Sequence, residues 1–289
     1  MYLIAVLSAF IAVFSPFWGL IFILSFGEKY KDRKGVFFAA FSVVVIIFFF
    51  LKIVDVMGFF DLIIGIALSS ILYFWSLFRT LDYLRSIIAV FFLNIGYAVL
   101  RYLIFSKLFI TNLNLVLQQY TEFVKTNFEN NTEYLSLALE ILRTLEKILS
   151  KYYVGLWVIT IVLAVYFGSL IFSKKNELKW KHKLIQLPFF FIYLLIGSLA
   201  LFLIPNTRTV GINCLMMLSS LFLIQGISII DFYWGNFFKK SKFLLFLLIF
   251  SMVLNYFILM LIALMGLVDI WFNFRKIIIM EEIDENNLN

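Results

Sequence analysis

Four aspartates lie in or beside long apolar segments of this 289-residue chain and are its main candidates for acid–base chemistry: Asp55, Asp61, Asp231 and Asp269. Aspartates alone could serve as a catalytic acid–base pair if two of them lay close together, but nothing in the spacing of these four brings two together. Asp55 and Asp61 flank a turn at Gly58, where both are expected to reach water. The chain also lacks paired histidines, a glycine-rich phosphate loop and a Gly-x-Ser-x-Gly elbow. We therefore expect the protein not to be an enzyme.

Metal and thiol chemistry are disfavoured for a simpler reason. The chain has a single cysteine, Cys214, inside an apolar run, and a single histidine, His182, in a basic loop. One cysteine cannot form an internal disulfide, and one histidine cannot build a zinc site alone. No cofactor and no metal ion are expected.

Polar side chains within the apolar runs are the remaining candidates, because ionisable and amide groups are costly in lipid and are often functional there. Arg101 must extend its charge to the membrane surface or find a partner. The amides could bind a substrate or could form hydrogen bonds between helices. The candidate substrate-binding residues are Asn94, Arg101, Asn213, Gln225 and Asn255.

The composition identifies the medium in which these residues act. Hydrophobic residues make up 64% of the chain and charged residues only 14%, with a mean hydropathy of +1.03. This is more apolar surface than a water-soluble domain could bury. The apolar runs are continuous rather than alternating, which favours transmembrane helices over a barrel. The formal charge of +7 comes from bases in short loops, where they set topology, so a nucleic-acid partner is not expected.

The apolar runs predict an all-α, polytopic transmembrane helical bundle of about eight spans. The spans are expected at 2–26, 36–54, 59–78, 86–105, 153–172, 184–204, 210–230 and 243–271. Pro16 falls in the middle of the first run, where it breaks a helix. That run is either one kinked span or a hairpin of half-length helices. Trp157 and four other tryptophans lie near the predicted span ends, as interfacial indoles do.

The central stretch 111–151 is the one segment suited to water. Leu113, Val116, Leu117, Tyr120, Val124 and Phe128 share one helical face, and after a break at 129–131 a second helix, capped by Thr132, repeats the pattern from Leu135 to Leu149. We expect an amphipathic helical hairpin on the membrane surface, with its apolar stripe against lipid or other helices. It is a packed spacer or a lid over a binding cavity.

Charge in the short loops predicts the orientation of the chain. The loops at 28–34, 79–85, 174–183 and 239–242 are basic, whereas the facing loops add little beyond Lys52 and Arg208. Basic loops remain in the cytoplasm, so the central hairpin should be extracytoplasmic. The predicted organisation is an N-terminal membrane half (1–110), the hairpin (111–151), a C-terminal membrane half (152–274) and a polar tail (275–289).

Three stretches of the second half resemble the YybS-like family of uncharacterised bacterial membrane proteins. They are Lys-Trp-Lys at 179–181 running to Leu-Pro at 187–188, the Leu-Phe-Leu-Ile-Gln-Gly-Ile run at 221–227, and the ending at 266–276, Gly-Leu-Val-Asp-Ile-Trp-Phe-Asn-Phe-Arg-Lys. This resemblance implies a bacterial multi-pass membrane protein and supplies no catalytic residues.

The beginning of the chain is similar to the substrate-binding (S) components of energy-coupling-factor vitamin transporters. The likeness lies in a helix with small residues at Ala5 and Ala9, then Pro16, then a short basic turn before Gly35. Such proteins capture a small nutrient and dock on a shared ATPase module through small residues of their first helix. By this resemblance Ala5 and Ala9 would be docking positions, although the chain has more spans than the usual six.

These features together predict a non-enzymatic, transport-related component of the bacterial cytoplasmic membrane that binds a small substrate. The alternative is a structural or scaffold protein of the cell envelope. Expected partners are the lipid bilayer and either a membrane transport module or an envelope protein.

Overall fold

All elements in the described part of the chain are helices. The computed structural model describes residues 2–27, 34–128, 131–175, 180–240 and 255–276. The basic loop at 28–33, residues 176–179, much of the predicted eighth span and the tail beyond Lys276 lie outside these residues. The helices are α1 (Tyr2–Phe14), α2 (Pro16–Ser25), α3 (Lys34–Phe50), α4 (Val56–Thr80), α5 (Tyr83–Asn127), α6 (Thr132–Lys175), α7 (Phe190–Leu203), α8 (Arg208–Lys240) and α9 (Tyr256–Phe272).

The first apolar run is a hairpin of two half-length helices. Ser15 is extended (φ −153°, ψ 107°) and its hydroxyl accepts a hydrogen bond from the Trp18 backbone N–H, so it caps α2 while Pro16 occupies the first helical position. The chain reverses there so closely that a Cβ atom at Gly19 would overlap Ala12. Of the two alternatives for this run, the structure has the hairpin.

Four described helices are long and apolar enough to cross a membrane: Val56–Thr80, Tyr83–Asn127, Glu133–Lys175 and Pro205–Gly235. The other apolar helices have only 10 to 17 residues, fewer than the roughly 20 that a span needs. The prediction of a helical membrane bundle is therefore confirmed, whereas the count of eight spans is not. One cause is Pro188, because the predicted span at 184–204 starts with a short 3-10 turn and α7 begins only at Phe190.

Helix α4 carries a π-helical segment, Asp61–Leu68, between two α-helical parts. The Asp55 side chain caps the start of α4 by accepting a hydrogen bond from the Gly58 backbone N–H at 2.7 Å. π-Helical turns are rare and occur often at functional sites. This one begins at a buried charged residue, Asp61.

Helices α5 and α6 each join a predicted span to one arm of the predicted hairpin without a break. At 45 and 44 residues, they are about 67 Å long, over twice the thickness of the hydrocarbon core. Each helix is thus long enough to cross the hydrocarbon core with one half and to extend beyond it with the other half, which carries the amphipathic pattern. We call residues 107–127 of α5 and 132–151 of α6 the paddle. The paddle continues both predicted spans without a break, whereas a separate hairpin lying on the membrane surface was expected.

The two arms of the paddle pair along part of the predicted stripe. Leu113, Leu117 and Val124 of α5 and Leu135, Ala138, Leu142 and Leu149 of α6 are half-buried, whereas Val116 and Tyr120 are exposed. The predicted cap, Thr132, lies one residue past the observed one, because the Asn131 side chain accepts the hydrogen bond from the Tyr134 backbone N–H.

The chain forms two compact units. The first comprises residues 1–180 and 197–217, and the second comprises residues 181–196 and 218–289. This division differs from the predicted membrane halves, because the chain returns to the first unit at 197–217. In the second unit, α8 and α9 cross at Gly226 and Gly266, where a Cβ atom on either glycine would overlap a backbone carbonyl oxygen of the other helix.

Candidate functional site

The first unit contains a buried ion pair between Asp61 of α4 and Arg101 of α5. The Arg101 Nε and Nη2 atoms donate to the two carboxylate oxygens at 2.9 and 3.1 Å. The Tyr97 hydroxyl donates to Asp61 Oδ1 at 2.6 Å. Asp61 is 7% and Arg101 6% exposed, so neither charge reaches the surface. Taking both charges out of water is costly, and bidentate geometry offsets part of this cost.

Aromatic rings enclose the guanidinium of Arg101. Its central carbon lies 4.7 Å from the Trp157 ring centroid, 5.6 Å from that of Phe109 and 5.7 Å from that of Tyr153, within cation–π range. The Tyr153 ring is 4% exposed, and its hydroxyl has no hydrogen-bond partner among the described residues. A buried hydroxyl without a protein partner calls for another polar group. We call Asp61, Tyr97, Arg101, Tyr153 and Trp157 the arginine cage.

A second polar layer lies about two turns along α5 from Arg101. The Asn94 side chain donates to the Ser69 hydroxyl at 2.8 Å, and its oxygen accepts from the Trp157 indole N–H at 3.3 Å. Asn94 and Ser69 are both fully buried. Trp157 therefore joins the two layers in the interior, rather than lying at an interface as its position near a span end suggested.

Asp61 lies in a different environment from the one that its sequence position predicts. It was expected to reach water at the Gly58 turn, but α4 begins at Val56 and already carries Asp61 into the packed interior. The sequence does contain a signal for this contact, which is the depth of Asp61 and of Arg101 within their predicted spans. Asp61 follows the start of one predicted span, and Arg101 precedes the end of the antiparallel neighbour, so the two fall at the same level. Arg101 thus has a charged partner and does not need to reach the surface.

The second unit contains another buried ion pair, between Asp269 and Arg275. Arg275 Nη2 donates to Asp269 Oδ2 at 2.6 Å, and both side chains are inaccessible. The same guanidinium donates to the backbone carbonyls of Lys183 and Ile185 and to the Ser228 hydroxyl. We call this set the arginine lock. Arg275 was expected in a polar tail, yet the helix ends at Phe272 with a left-handed Asn273 (φ 41°) that turns Arg275 back into the unit.

Gln225 completes the arginine lock. Its side-chain nitrogen donates to Asp269 Oδ2 at 2.8 Å, and its oxygen accepts from the Leu187 backbone N–H at 2.9 Å. Each of the three stretches that carry the YybS-like resemblance therefore contributes to the lock: Lys183, Ile185 and Leu187 from 179–188, Gln225 from 221–227, and Asp269 and Arg275 from 266–276. The amide nitrogen and the amide oxygen of Gln225 both bind groups of the protein, so this candidate substrate residue joins three segments of the chain.

The other predicted site residues lie elsewhere. Asn213 joins α8 to α6 by accepting from the Gly155 backbone N–H at 2.8 Å and donating to the Lys151 carbonyl at 3.0 Å. Asn255 caps α9 by accepting from the Phe257 backbone N–H, and it is exposed. Ala5 and Ala9 are fully buried, so a docking partner would have to displace what covers them. Asn94 and Arg101 are the two predicted site residues that the structure brings together.

A separate groove of about 520 Å³ lies in the second unit. Its lining is Ile229, Ile230, Tyr233, Trp234, Met265 and Phe274. The size is in the range of ligand sites, but this lining suits an acyl chain better than a polar solute.

A chain of long apolar helices with charged pairs buried between them defines a multi-pass helical membrane protein. Within that class, residues 1–270 match the family described as predicted membrane protein (DUF2232), and the chain belongs to this family. No curated protein and no solved structure matches the chain. The narrower likenesses to YybS-like proteins and to S components stay predictions.

Proposed function

We propose that this protein is a non-enzymatic, transport-related component of the bacterial cytoplasmic membrane that binds a small substrate at the arginine cage. The observation that carries the proposal is a buried, bidentate Asp61–Arg101 pair, walled by aromatic rings, next to a Tyr153 hydroxyl that no described residue satisfies. A charged pair within a membrane protein is a functional candidate by default.

The cage favours a substrate that carries a carboxylate. A planar carboxylate can replace Asp61 on the guanidinium with the same bidentate geometry, while Trp157 and Tyr153 provide flat apolar walls. The π-helical segment that starts at Asp61 is a place where a helix can readjust, since such turns interrupt the regular ladder. With the basic loops in the cytoplasm, the cage lies near the outer rim of the bilayer, where a solute arrives from outside.

A non-enzymatic role agrees with the contacts that the described carboxylates make. Asp61 binds Arg101 and Asp269 binds Arg275, and Asp231 lies 3.1 Å from the His182 ring. Two of these three are held by arginines, which do not give up a proton, and the Asp55 side chain instead caps α4.

A thermal-shift screen tests the substrate proposal. The full chain in nanodiscs is heated with small carboxylates, and a ligand at 100 times its Kd should add about 2.7 kcal/mol of stability. Arg101→Lys keeps the charge but loses the bidentate fork, so it should abolish this shift, whereas the exposed Arg85→Lys should retain it. Failure of every carboxylate to stabilise the protein, or an unchanged shift in Arg101→Lys, contradicts the proposal.

Tyr153→Phe provides a second test, because the Tyr153 hydroxyl makes no hydrogen bond to a described residue that the change would remove. The ligand-free melting temperature should stay unchanged, while affinity for the stabilising ligand falls about threefold to tenfold, the effect of one hydrogen bond. A variant that melts earlier without ligand and binds normally would identify Tyr153 as a packing residue only.

A scaffold role is the second candidate, and one observation favours it. Asn213 and Gln225 are satisfied within the chain, which is how amides join helices. If no solute stabilises the protein, the scaffold becomes the better account.

A further inference from the structure

The paddle has one apolar and one polar face. Along α5, Val116, Tyr120 and Phe123 are 47%, 58% and 62% exposed. Along α6, five large apolar residues recur at helical spacing, and they are 41% to 60% exposed: Tyr134, Leu137, Ile141, Leu145 and Ile148. None of these eight positions carries a charge.

Helix geometry places both stripes on the same side of the paddle. At 100° per residue, Val116, Tyr120 and Phe123 point about a quarter-turn to one side of the direction in which Leu117 faces α6. The α6 stripe is offset from Leu142 by a similar angle in the same rotational sense. In two antiparallel helices equal offsets point to the same side, so the stripes form one face. The opposite offsets hold exposed polar residues, among them Gln118, Lys125, Ser136, Arg143 and Lys147.

This apolar face is larger than a monomer in water usually exposes. With about 200 Å² for a fully exposed large side chain, the eight residues present about 800 Å², above the few hundred typical of a monomer's largest patch. A standard interface buries about 800 Å² on each partner. Lipid is a poor match, because each arm continues a membrane-spanning helix in the same direction and so extends away from the bilayer.

We propose that the apolar face of the paddle binds the same face of a second copy of this chain. Two copies inserted in one membrane in the same orientation are related by a two-fold axis along the membrane normal, which brings identical faces together. An uncharged face is compatible with itself, since it creates no like-charge contacts. The pair of paddles then forms a four-helix bundle above the bilayer. This proposal does not depend on whether the arginine cage binds a substrate.

Oligomeric state in nanodiscs tests this proposal with full-length protein. Wild type should be a dimer, and Leu137→Glu with Ile141→Glu should be monomeric, because burying two unpaired carboxylates per copy weakens association by more than about 100-fold. The matched control, Ser136→Glu with Gln118→Glu, places the same charges on the polar face and should remain dimeric. Equal melting temperatures of both variants in excess detergent would show that each one folds.

Cysteine crosslinking in native membranes complements this measurement. In a Cys214→Ser background, Ile141→Cys should give a dimer with a short bis-maleimide, and Arg143→Cys should not. A monomeric wild type, a dimeric double-glutamate variant or crosslinking only at Arg143→Cys would overturn the proposal. So would quenching of a fluorophore at Ile141→Cys by brominated lipid, which would place the paddle on the membrane.

Discussion

Replacing Arg275 with alanine should lower the free energy of unfolding by about 3–5 kcal/mol, the cost of leaving a buried charge without its partner. Asp269 is fully buried, and Arg275 also donates to the carbonyls of Lys183 and Ile185, so the change leaves a buried carboxylate without its counter-charge and two carbonyls without this donor. A fluorescence-detected thermal melt in mild detergent measures the effect.

The chain provides a matched control for this change. Arg85 also pairs with an aspartate, Asp82 at 3.3 Å, but their side chains are 66% and 41% exposed. Exposed pairs contribute 0–1 kcal/mol, so Arg85→Ala should hardly move the melting temperature. Equal losses in the two variants would mean that the arginine lock contributes no more than a surface pair.

Replacing Gly226 with valine should prevent α8 and α9 from packing, the second large effect we expect. The added Cβ atom would overlap the Ile262 carbonyl oxygen, which belongs to a helix backbone and cannot move alone. Close crossings of membrane helices depend on such small residues. The variant should express at a fraction of the wild-type level and aggregate on size-exclusion chromatography, and Gly266→Val should behave alike.

Gly197→Ala is the control for the glycine crossing. It also adds a methyl group to a helical glycine, but nothing lies within 4 Å of the new atom. Helix propensity favours alanine over glycine by about 1 kcal/mol, so this variant should be as stable as wild type or more so. Normal folding of Gly226→Val would show that the observed approach of α8 to α9 is not required.

What the sequence could predict is what local chemistry determines. Apolar runs predict membrane-spanning helices, Pro16 interrupts a helix, and the repeat from Leu113 onward predicts an amphipathic helix. The structure has four helices long and apolar enough to cross a membrane, ends α1 just before Pro16, and keeps Leu113 and Leu117 half-buried. Asn94, Arg101 and Gln225 were recognised as costly groups in an apolar setting, and all three are buried and hydrogen-bonded.

What the sequence could not predict depends on contacts between distant segments. Asp61 and Arg101 are 40 residues apart, and only the antiparallel arrangement of α4 and α5 brings them to one level. Arg275 looks like the first residue of a polar tail until the turn at Asn273 is known. The uninterrupted length of α5 could not be predicted either, because the change from an apolar to an amphipathic pattern suggests a boundary but does not end a helix.

The side of the membrane on which the paddle and the Arg101 end of the bundle lie is tested most directly by cysteine labelling in intact cells. Single cysteines replace exposed residues in a Cys214→Ser background, two on the polar face of the paddle (Lys125→Cys, Arg143→Cys) and two near basic loops (Arg85→Cys, Lys181→Cys). An impermeant maleimide should label the paddle positions in intact cells and the loop positions only after permeabilisation. Labelling of Arg85→Cys and Lys181→Cys from outside, with the paddle protected, would contradict the proposed orientation and a substrate site near the outer rim of the bilayer.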